Sequence, residues 1–195
     1  MKRQEQKFFL NFEEISSILS AFNATMVHPV RTVNSIYFDT DNHRFYHEGE
    51  EGSVPREKYR FRWYGNSLKV GNSGQIEIKK TFDNYKTKES EGIKFKNFSE
   101  VKSAINAKCE DYLYPICQVS YERLYYANKS GLRFTYDYNI QFKNLTQNNY
   151  IKSHNNIFEV KYENINDSLF SSLLGDKMTR FSKYNEALSK LFEIS

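Results

Sequence analysis

Apolar and polar residues alternate along most of the chain. The segment EKYRFRWYG, residues 57–65, interleaves three cations with three aromatic rings: Lys58, Arg60 and Arg62 with Tyr59, Phe61 and Trp63. Successive side chains of a β-strand point to opposite faces, so this pattern predicts a strand with one charged face and one apolar face. A single strand of this kind is usually half-solvated, with its charges in water.

The same alternation recurs in eight segments, each rich in β-branched or aromatic residues and bounded by Gly, Asn or Asp. These segments are predicted as strands at 3–10, 33–39, 57–64, 75–82, 86–92, 116–127, 132–140 and 157–162. Amphipathic helices are predicted at 11–22, 99–108 and 182–194. The first helix has Asn11 as its cap and Glu14 three residues later, the spacing of a capping box. The pattern therefore predicts an α+β fold.

Charge falls on one face of seven of the eight predicted strands. The charges are Arg3, Glu5 and Lys7; Lys58, Arg60 and Arg62; Glu77 and Lys79; Lys86 and Lys88; Arg123; Arg133 and Asp137; Glu159 and Lys161. Charged faces on nearly every strand, with apolar faces left for helices, predict an antiparallel eight-stranded β-barrel with a charged lumen and amphipathic helices packed outside. Crowded cations are costly in such a lumen, so a dense polyanion is the expected occupant.

Turn lengths predict which of these charges meet. A two-residue Asp-Asn turn in QIEIKKTFDNYKTKES would set Lys79 directly opposite Lys88. A three-residue Lys-Ser-Gly loop in ERLYYANKSGLRFTYD would set Arg123 opposite Asp137. Because facing lysines destabilise a ladder, we expect an anion between them. Phosphate chains fit, since Arg grips phosphate oxygens bidentately and Lys supplies a point charge.

Three carboxylates on the charged faces are candidate metal ligands. Glu5, Glu77 and Glu159 would hold a divalent cation that bridges phosphates, because Mg²⁺ and Mn²⁺ prefer oxygen ligands.

Composition limits the other possibilities. The chain has 195 residues, which predicts a single domain over 1–195, and its net charge of +4 does not by itself indicate nucleic acid. No apolar run approaches the roughly 18 residues of a membrane span, and no signal peptide is evident, so we expect a cytosolic protein. Cys109 and Cys117 lack metal or disulfide spacing and are expected to be reduced.

Other motifs carry less chemistry. His43 and His47 have the i, i+4 spacing of a helical zinc site, but they follow a strand in a polar segment that we expect to be a loop. Arg180 and Lys183 in RFSKYNEAL could be solvated residues, although Lys183 behind a Ser182 cap would place a cation unfavourably in a first helical turn. Binding of RNA is disfavoured because the aromatic rings should face the core.

The chain resembles the VTC-type polyphosphate polymerase domain of the triphosphate tunnel metalloenzyme (CYTH-like) superfamily. The resemblance covers nearly the whole chain through segments in the same order: NSIYFDT, KYRFRWYG, EIKK, SYERLYY, RFTYD, FEVKY and RFSKY. It implies an antiparallel tunnel barrel that transfers the γ-phosphate of ATP onto a growing inorganic polyphosphate chain with Mn²⁺ or Mg²⁺.

The resemblance also implies site residues. The expected catalytic phosphate ligands are Arg60, Arg62, Lys79, Arg123, Arg133 and Lys183. Further phosphate-binding positions that the resemblance implies are Lys7, Lys88, Arg31, Tyr37 and Arg180, and the charged strand faces add Lys58 and Lys161. Glu159 matches the metal-binding glutamate of the family. Lys86 and Lys88 both lie near one basic family position, and the turn argument favours Lys88.

Three functions remain open at this point. The first is the polymerase, whose partners would be ATP and polyphosphate and which another protein could recruit to the inner face of a membrane. The second is a tripolyphosphate or nucleoside-triphosphate hydrolase on the same barrel. The third is a non-catalytic module that binds polyphosphate. Polymerisation needs no general base because a polyphosphate end is already ionised, whereas hydrolysis must position a water.

Overall fold

The computed structural model describes residues 4–83, 85–146, 150–162, 170 and 174–192. The chain divides into two compact units. Unit 1 comprises Met1–Thr32, Tyr121–Ile140 and Lys152–Phe181, and unit 2 comprises Val33–Ser120, Gln141–Ile151 and Ser182–Ser195. Among the described residues, no helix combines the length and hydropathy that a membrane span needs.

Strands dominate the structure. They are β1 Gln4–Phe9, β2 Thr25–Asp39, β3 Arg56–Tyr64, β4 Ser73–Thr81, β5 Lys86–Lys94, β6 Tyr114–Ala127, β7 Arg133–Asn144, β8 Tyr150–Lys152, β9 Ile157–Tyr162 and β10 Met178–Thr179. The helices are α1 Phe12–Ala21, α2 Arg44–Glu51, α3 Phe98–Asn106 and α4 Lys183–Phe192, with a 3₁₀ turn at Gly175–Lys177.

The strands form one sheet in the order β10-β1-β9-β7-β6-β2-β3-β4-β5, with β8 paired to β7. The pairs of β1 with β9, β7 with β9, and β3 with β2 and β4 are antiparallel. The predicted antiparallel α+β fold is therefore confirmed. Within the described residues the sheet has ten strands rather than eight, and its order does not close into a ring, so closure into a barrel stays a prediction.

Unit 1 buries the apolar face of its strands beneath α1. Phe8, Phe134 and Phe158 pack with Ile15 and Leu19 of the helix. The helix begins as the sequence predicts, because the Asn11 side chain accepts a hydrogen bond from the Glu14 amide and the Asn11 amide donates to Glu14 Oε2. Burial of one strand face leaves the charged residues on the other.

Unit 2 repeats this arrangement with α3. The three aromatic residues of the opening segment are buried, Tyr59 at 1%, Phe61 at 0% and Trp63 at 6% exposure. They share a core with Val101 and Ile105 of α3. The predicted assignment of rings and cations to opposite faces of β3 is confirmed.

The expectation of a polar loop around His43 and His47 is wrong, because α2 occupies this segment. The Asp39 carboxylate, at the end of β2, accepts hydrogen bonds from the amides of Phe45 and Tyr46 at 2.9 and 3.0 Å. A residue outside the helix therefore satisfies the amides of the first turn.

Strand β2 begins at Thr25, eight residues earlier than predicted. The additional segment includes Pro29 and is exposed from Thr25 to Arg31, so it lacks the alternating burial that identifies a strand in sequence.

Both turn predictions are confirmed. The Phe82 amide donates to the Tyr85 carbonyl, and Lys79 and Lys88 are directly paired across β4 and β5, although Asn84 lies outside the described residues. The Asn128 amide donates to the Leu132 carbonyl. The predicted start of the first strand, at Arg3, and the predicted end of the last helix, at Ile194, lie outside the described residues.

Two strand glycines should respond differently to alanine. A Cβ at Gly74 would lie 2.3 Å from Cζ of Phe61 and 2.6 Å from the Arg62 carbonyl oxygen, whereas a Cβ at Gly92 meets no atom within 4 Å. We expect Gly74→Ala to reduce the free energy of unfolding by about 1–3 kcal/mol, and Gly92→Ala to change it by less than about 1 kcal/mol. Urea unfolding measures both, and equal effects would contradict the packing described for β4.

Candidate functional site

A row of lysines crosses three strands of unit 2. Lys58 on β3 pairs directly with Lys79 on β4, and Lys79 pairs with Lys88 on β5. The turn length predicts the pair of Lys79 and Lys88, and Lys58 extends the row to a third strand. Because like charges directly opposite are destabilising, the row favours an anion that lies across it.

A second row centres on a buried carboxylate. Arg60 on β3 faces Tyr37 on β2 and Glu77 on β4. The Glu77 side chain is 2% exposed and forms ion pairs of 2.5 Å with Arg60, 3.3 Å with Arg62 and 2.6 Å with Lys88. One carboxylate therefore holds three of the predicted phosphate ligands in place.

These cations control the ionisation of Glu77. Burial alone would raise its pKa, but Arg60, Arg62 and Lys88 outweigh burial and lower the pKa to about 2. Burial also lowers the pKa of the Lys88 ammonium, against the opposing effect of Glu77. The carboxylate thus stays charged at neutral pH.

Two stacked tyrosines connect Arg60 to α4. Arg60 donates to the Tyr37 hydroxyl at 3.0 Å, and the Tyr37 ring stacks on Tyr184 with centroids 5.1 Å apart. The Tyr184 hydroxyl donates to Asp39 Oδ2 at 2.5 Å. Burial and the adjacent Asp39 raise the pKa of Tyr184, so its hydroxyl keeps the proton. The helix therefore helps to position Arg60 through the two rings.

Lys58 is bound to the start of α4. Its ammonium donates to Ser182 Oγ at 2.6 Å and to Asn185 Oδ1 at 2.7 Å. The Asn185 amide in turn donates to the Tyr46 carbonyl and to Glu50 of α2. Lys183 lies in the same first helical turn and is half-buried. This turn is thus anchored beside the lysine row.

The charged face of unit 1 mixes acids and bases. Glu5 faces Lys161 and Lys7 faces Glu159 across β1 and β9, while Arg133 on β7 also faces Lys161. Lys7 Nζ lies 3.7 Å from Glu5 Oε1 and donates to the Phe181 carbonyl. Lys161 forms an ion pair with Glu159. Four neighbouring charges thus alternate in sign across two strands.

Glu159 is the buried carboxylate of this face. The residue is 6% exposed. Burial would raise its pKa, but Lys161, Arg123 and Lys7 hold the pKa well below its usual range. Glu159 is therefore a permanent negative charge at neutral pH.

Arg123 forms a bidentate pair with Asp137. The guanidinium donates to Oδ1 at 2.5 Å and to Oδ2 at 2.6 Å, and Asp137 is fully buried. Burial would lower the Arg123 pKa, but Asp137 raises it well above its usual value. The Arg123 guanidinium also lies over the rings of Tyr121 and Tyr125, and that of Arg31 lies over Tyr125. Asp137 was not predicted as a site residue, although the loop length had placed it opposite Arg123.

Two predicted ligands lie at the surface of unit 1. Arg133 and Arg180 are exposed, and Arg180 precedes Phe181, whose carbonyl accepts a hydrogen bond from Lys7.

In unit 2, Lys88 rather than Lys86 forms the ion pair with Glu77, as the turn geometry favours. Cations outnumber carboxylates more strongly around Glu77 than around Glu159.

The carboxylates differ in their suitability for a metal. Within the described ranges, no cluster contains three or more His, Cys, Asp or Glu side chains that could hold an ion. Mg²⁺ bound to phosphates commonly needs only one or two protein carboxylates. Glu159 is a candidate for that role because it is a buried carboxylate, with its Oε1 in ion-pair contact with Lys161. Glu5 shares this face, whereas both oxygens of Glu77 are already in ion pairs.

The depressed pKa of Glu77 predicts a pH-dependent contribution to stability. We expect Glu77→Gln to reduce the free energy of unfolding at pH 7 by about 3 kcal/mol, because buried cations lose their counter-charge. Since the folded-state pKa is below the ordinary value of 4.5, the advantage of the wild type is complete above pH 4.5 and is lost as pH falls towards 2. Denaturant unfolding of both proteins from pH 7 to 3 measures this difference, and a constant difference would contradict the assignment.

Comparison with solved structures gives neighbours that span nearly the whole chain. A protein of Pyrococcus horikoshii OT3 has a TM-score of 0.56 and 13% identity, covering 96% of this chain and 99% of that chain. A putative adenylate cyclase from Vibrio parahaemolyticus has a TM-score of 0.57 and 10% identity, with 97% and 98% covered. A putative adenylyl cyclase from Hippeastrum, described as having a dominant triphosphatase activity, has a TM-score of 0.55 and 13% identity, with 97% and 96% covered.

At these identities the likeness shows only that the chain shares its fold with these proteins. No curated protein matches the sequence significantly. The family model of the VTC domain matches residues 2–192. The chain therefore belongs to the VTC domain family.

Proposed function

We propose that this protein is a metal-dependent polyphosphate polymerase that transfers the γ-phosphate of ATP onto a growing inorganic polyphosphate chain. Membership of the VTC domain family supports a triphosphate or polyphosphate substrate. The observation that carries the proposal is the row of Lys58, Lys79 and Lys88 beside the arginines held by Glu77.

The geometry of the row suits a chain of linked anions. Adjacent strands lie about 4.8 Å apart, so a polyanion that crosses β3, β4 and β5 meets a new lysine at each strand. Separate monovalent anions would gain less, because each pays its own cost of immobilisation. The row is thus better matched to condensed phosphate than to single ions.

The catalytic contribution of these residues is electrostatic. Phosphoryl transfer passes through a loose transition state with charge on the equatorial oxygens, so fixed cations supply most of the stabilisation. We assign this role to Arg60, Arg62, Lys79, Arg123, Arg133 and Lys183. The remaining set would bind the phosphates along the chain: Lys7, Lys58, Lys88, Arg31, Tyr37, Lys161 and Arg180.

Glu159, with Glu5 on the same face, would hold the Mn²⁺ or Mg²⁺. The bound ion would neutralise charge on the phosphate oxygens. Glu77 is the third carboxylate predicted from the sequence to bind the metal, but an ion there would compete with Lys88 and Arg60 for both carboxylate oxygens. We therefore place the metal in unit 1 and assign Glu77 to positioning the arginines.

Hydrolysis of tripolyphosphate or a nucleoside triphosphate is the second candidate. It is favoured by the triphosphatase activity ascribed to the Hippeastrum neighbour, which shares the fold. A hydrolase must position a water, whereas the ionised end of a polyphosphate chain attacks without a general base.

Incubation with ATP and Mn²⁺, followed by sizing of the products on a gel, distinguishes the candidates. The proposal predicts long chains at the expense of ATP. Release of free phosphate without polymer would show that the protein is a hydrolase. Unchanged ATP would contradict both enzymatic functions and favour a module that only binds polyphosphate. The partners expected in a cell are ATP and polyphosphate in the cytosol, and recruitment to a membrane would depend on another protein.

Lys79 and Lys80 offer a matched test of the lysine row. They are adjacent on β4 but point to opposite faces, and Lys80 pairs with Glu57 at 2.7 Å. We expect Lys79→Met to weaken tripolyphosphate binding at least tenfold, because a charge-assisted contact contributes on the order of 1.5–3 kcal/mol. Lys80→Met should change it less than about twofold. Isothermal titration measures both constants.

The same variants should differ without ligand. Removing Lys79 relieves repulsion from Lys58 and Lys88, so its melting temperature should stay the same or rise. Equal losses of tripolyphosphate affinity in Lys79→Met and Lys80→Met would contradict a specific role of the lysine row, because they would show that only the net surface charge matters.

A further inference from the structure

Thr135 lies at the centre of the charged face of unit 1. It sits on β7 between Arg133 and Asp137, and its partner across β9 is Glu159. The residue is 7% exposed, and its hydroxyl oxygen is buried without a hydrogen-bond partner. Buried hydroxyls in folded proteins nearly always have a partner, so the Thr135 hydroxyl is a candidate ligand atom.

Glu159 presents a buried carboxylate to the same side of the sheet. Its Oε1 is in ion-pair contact with Lys161, so a metal ion bound by the carboxylate would take over part of the role of this ammonium. Side chains of directly opposed residues in antiparallel strands have Cβ atoms about 4.5–5.5 Å apart. The Thr135 and Glu159 side chains therefore face a common space, where one small ligand can touch both.

The chemistry of the two oxygens limits what that ligand can be. A phosphate oxygen could accept from the Thr135 hydroxyl, but it could not bond to the Glu159 carboxylate directly, because both groups are acceptors. A divalent cation satisfies both groups, because Mg²⁺ and Mn²⁺ take hydroxyl and carboxylate oxygens together. A hydroxyl beside an acidic residue holds the metal in other phosphoryl-transfer proteins.

We propose that the Thr135 hydroxyl is a metal ligand that, together with Glu159, holds the divalent cation of this protein. This inference rests on the proposed metal-dependent function. It adds a neutral residue, which an inspection of charged positions would pass over, to the residues that bind the metal.

Two substitutions separate the hydroxyl from the shape of the side chain. Thr135→Val keeps the branched shape and removes the oxygen, and Thr135→Ser keeps the oxygen. Thr87→Val, at an exposed position on β5, is the control for the same change elsewhere. Each protein is melted alone, with tripolyphosphate and chelator, and with tripolyphosphate over a Mn²⁺ titration.

Without ligand, the melting temperature of Thr135→Val should equal that of the wild type or exceed it by up to about 4 °C, because a buried hydroxyl without a partner has been removed. Its stabilisation by tripolyphosphate in chelator should match the wild type. Mn²⁺ should stabilise the tripolyphosphate complex further, and the Mn²⁺ concentration that gives half of this increase in melting temperature should be about 10- to 100-fold higher for Thr135→Val than for the wild type. The serine variant and the Thr87→Val control should both titrate like the wild type.

Three outcomes would overturn the inference. An unchanged Mn²⁺ titration in Thr135→Val would remove the hydroxyl from the metal site. Loss of tripolyphosphate binding in chelator would show that the hydroxyl binds phosphate instead. A wild-type protein whose complex gains no stability from Mn²⁺ would contradict the proposed metal dependence itself, so this failure is distinguishable from the other two.

Discussion

Each charged strand face surrounds one buried carboxylate, which compensates the positive charge of its neighbours. Glu77 contacts three cations in unit 2, and Glu159 lies among Lys7, Arg123 and Lys161 in unit 1. Both keep depressed pKa values despite burial, because the surrounding cations outweigh desolvation. Without these charges the arginines and lysines would repel one another at close range. The carboxylates compensate only part of the positive charge in unit 2, and an anionic ligand would compensate the rest.

Burial of the apolar faces of the same strands offsets the free-energy cost of crowding these charges. Phe61 and Phe134 pack against helices or other aromatic residues on the face opposite the charges. Alternation along the strands then places Lys58, Arg60 and Arg62 on the remaining face of β3. The helix α4 adds a second constraint, since Tyr184 and Asn185 hold Arg60 and Lys58 through hydrogen bonds and ring stacking. Core packing and the positions of the predicted phosphate ligands are thus set on opposite faces of the same strands.

Sequence was sufficient where local rules decide the structure. The pairing of Lys79 with Lys88 follows from a short turn, and the start of α1 follows from the Asn11 capping box. Sequence patterns failed where residues outside an element decide its structure or its register. Helix α2 depends on Asp39, which precedes it, and the position of Lys58 opposite Lys79 depends on a register that the long loop between β3 and β4 does not fix. Thr135 carries no charge, and only its burial opposite Glu159 reveals it.

The central claim is that the rows of cations bind linked phosphates rather than negative charge in general. Isothermal titration of the wild type with sulfate, orthophosphate, pyrophosphate and tripolyphosphate at one ionic strength tests it most directly. Since each added phosphate is tethered to the last, the affinity should rise by more than about tenfold from orthophosphate to tripolyphosphate, with sulfate no better than orthophosphate. Affinities for sulfate, orthophosphate and tripolyphosphate within about twofold of one another would contradict this account.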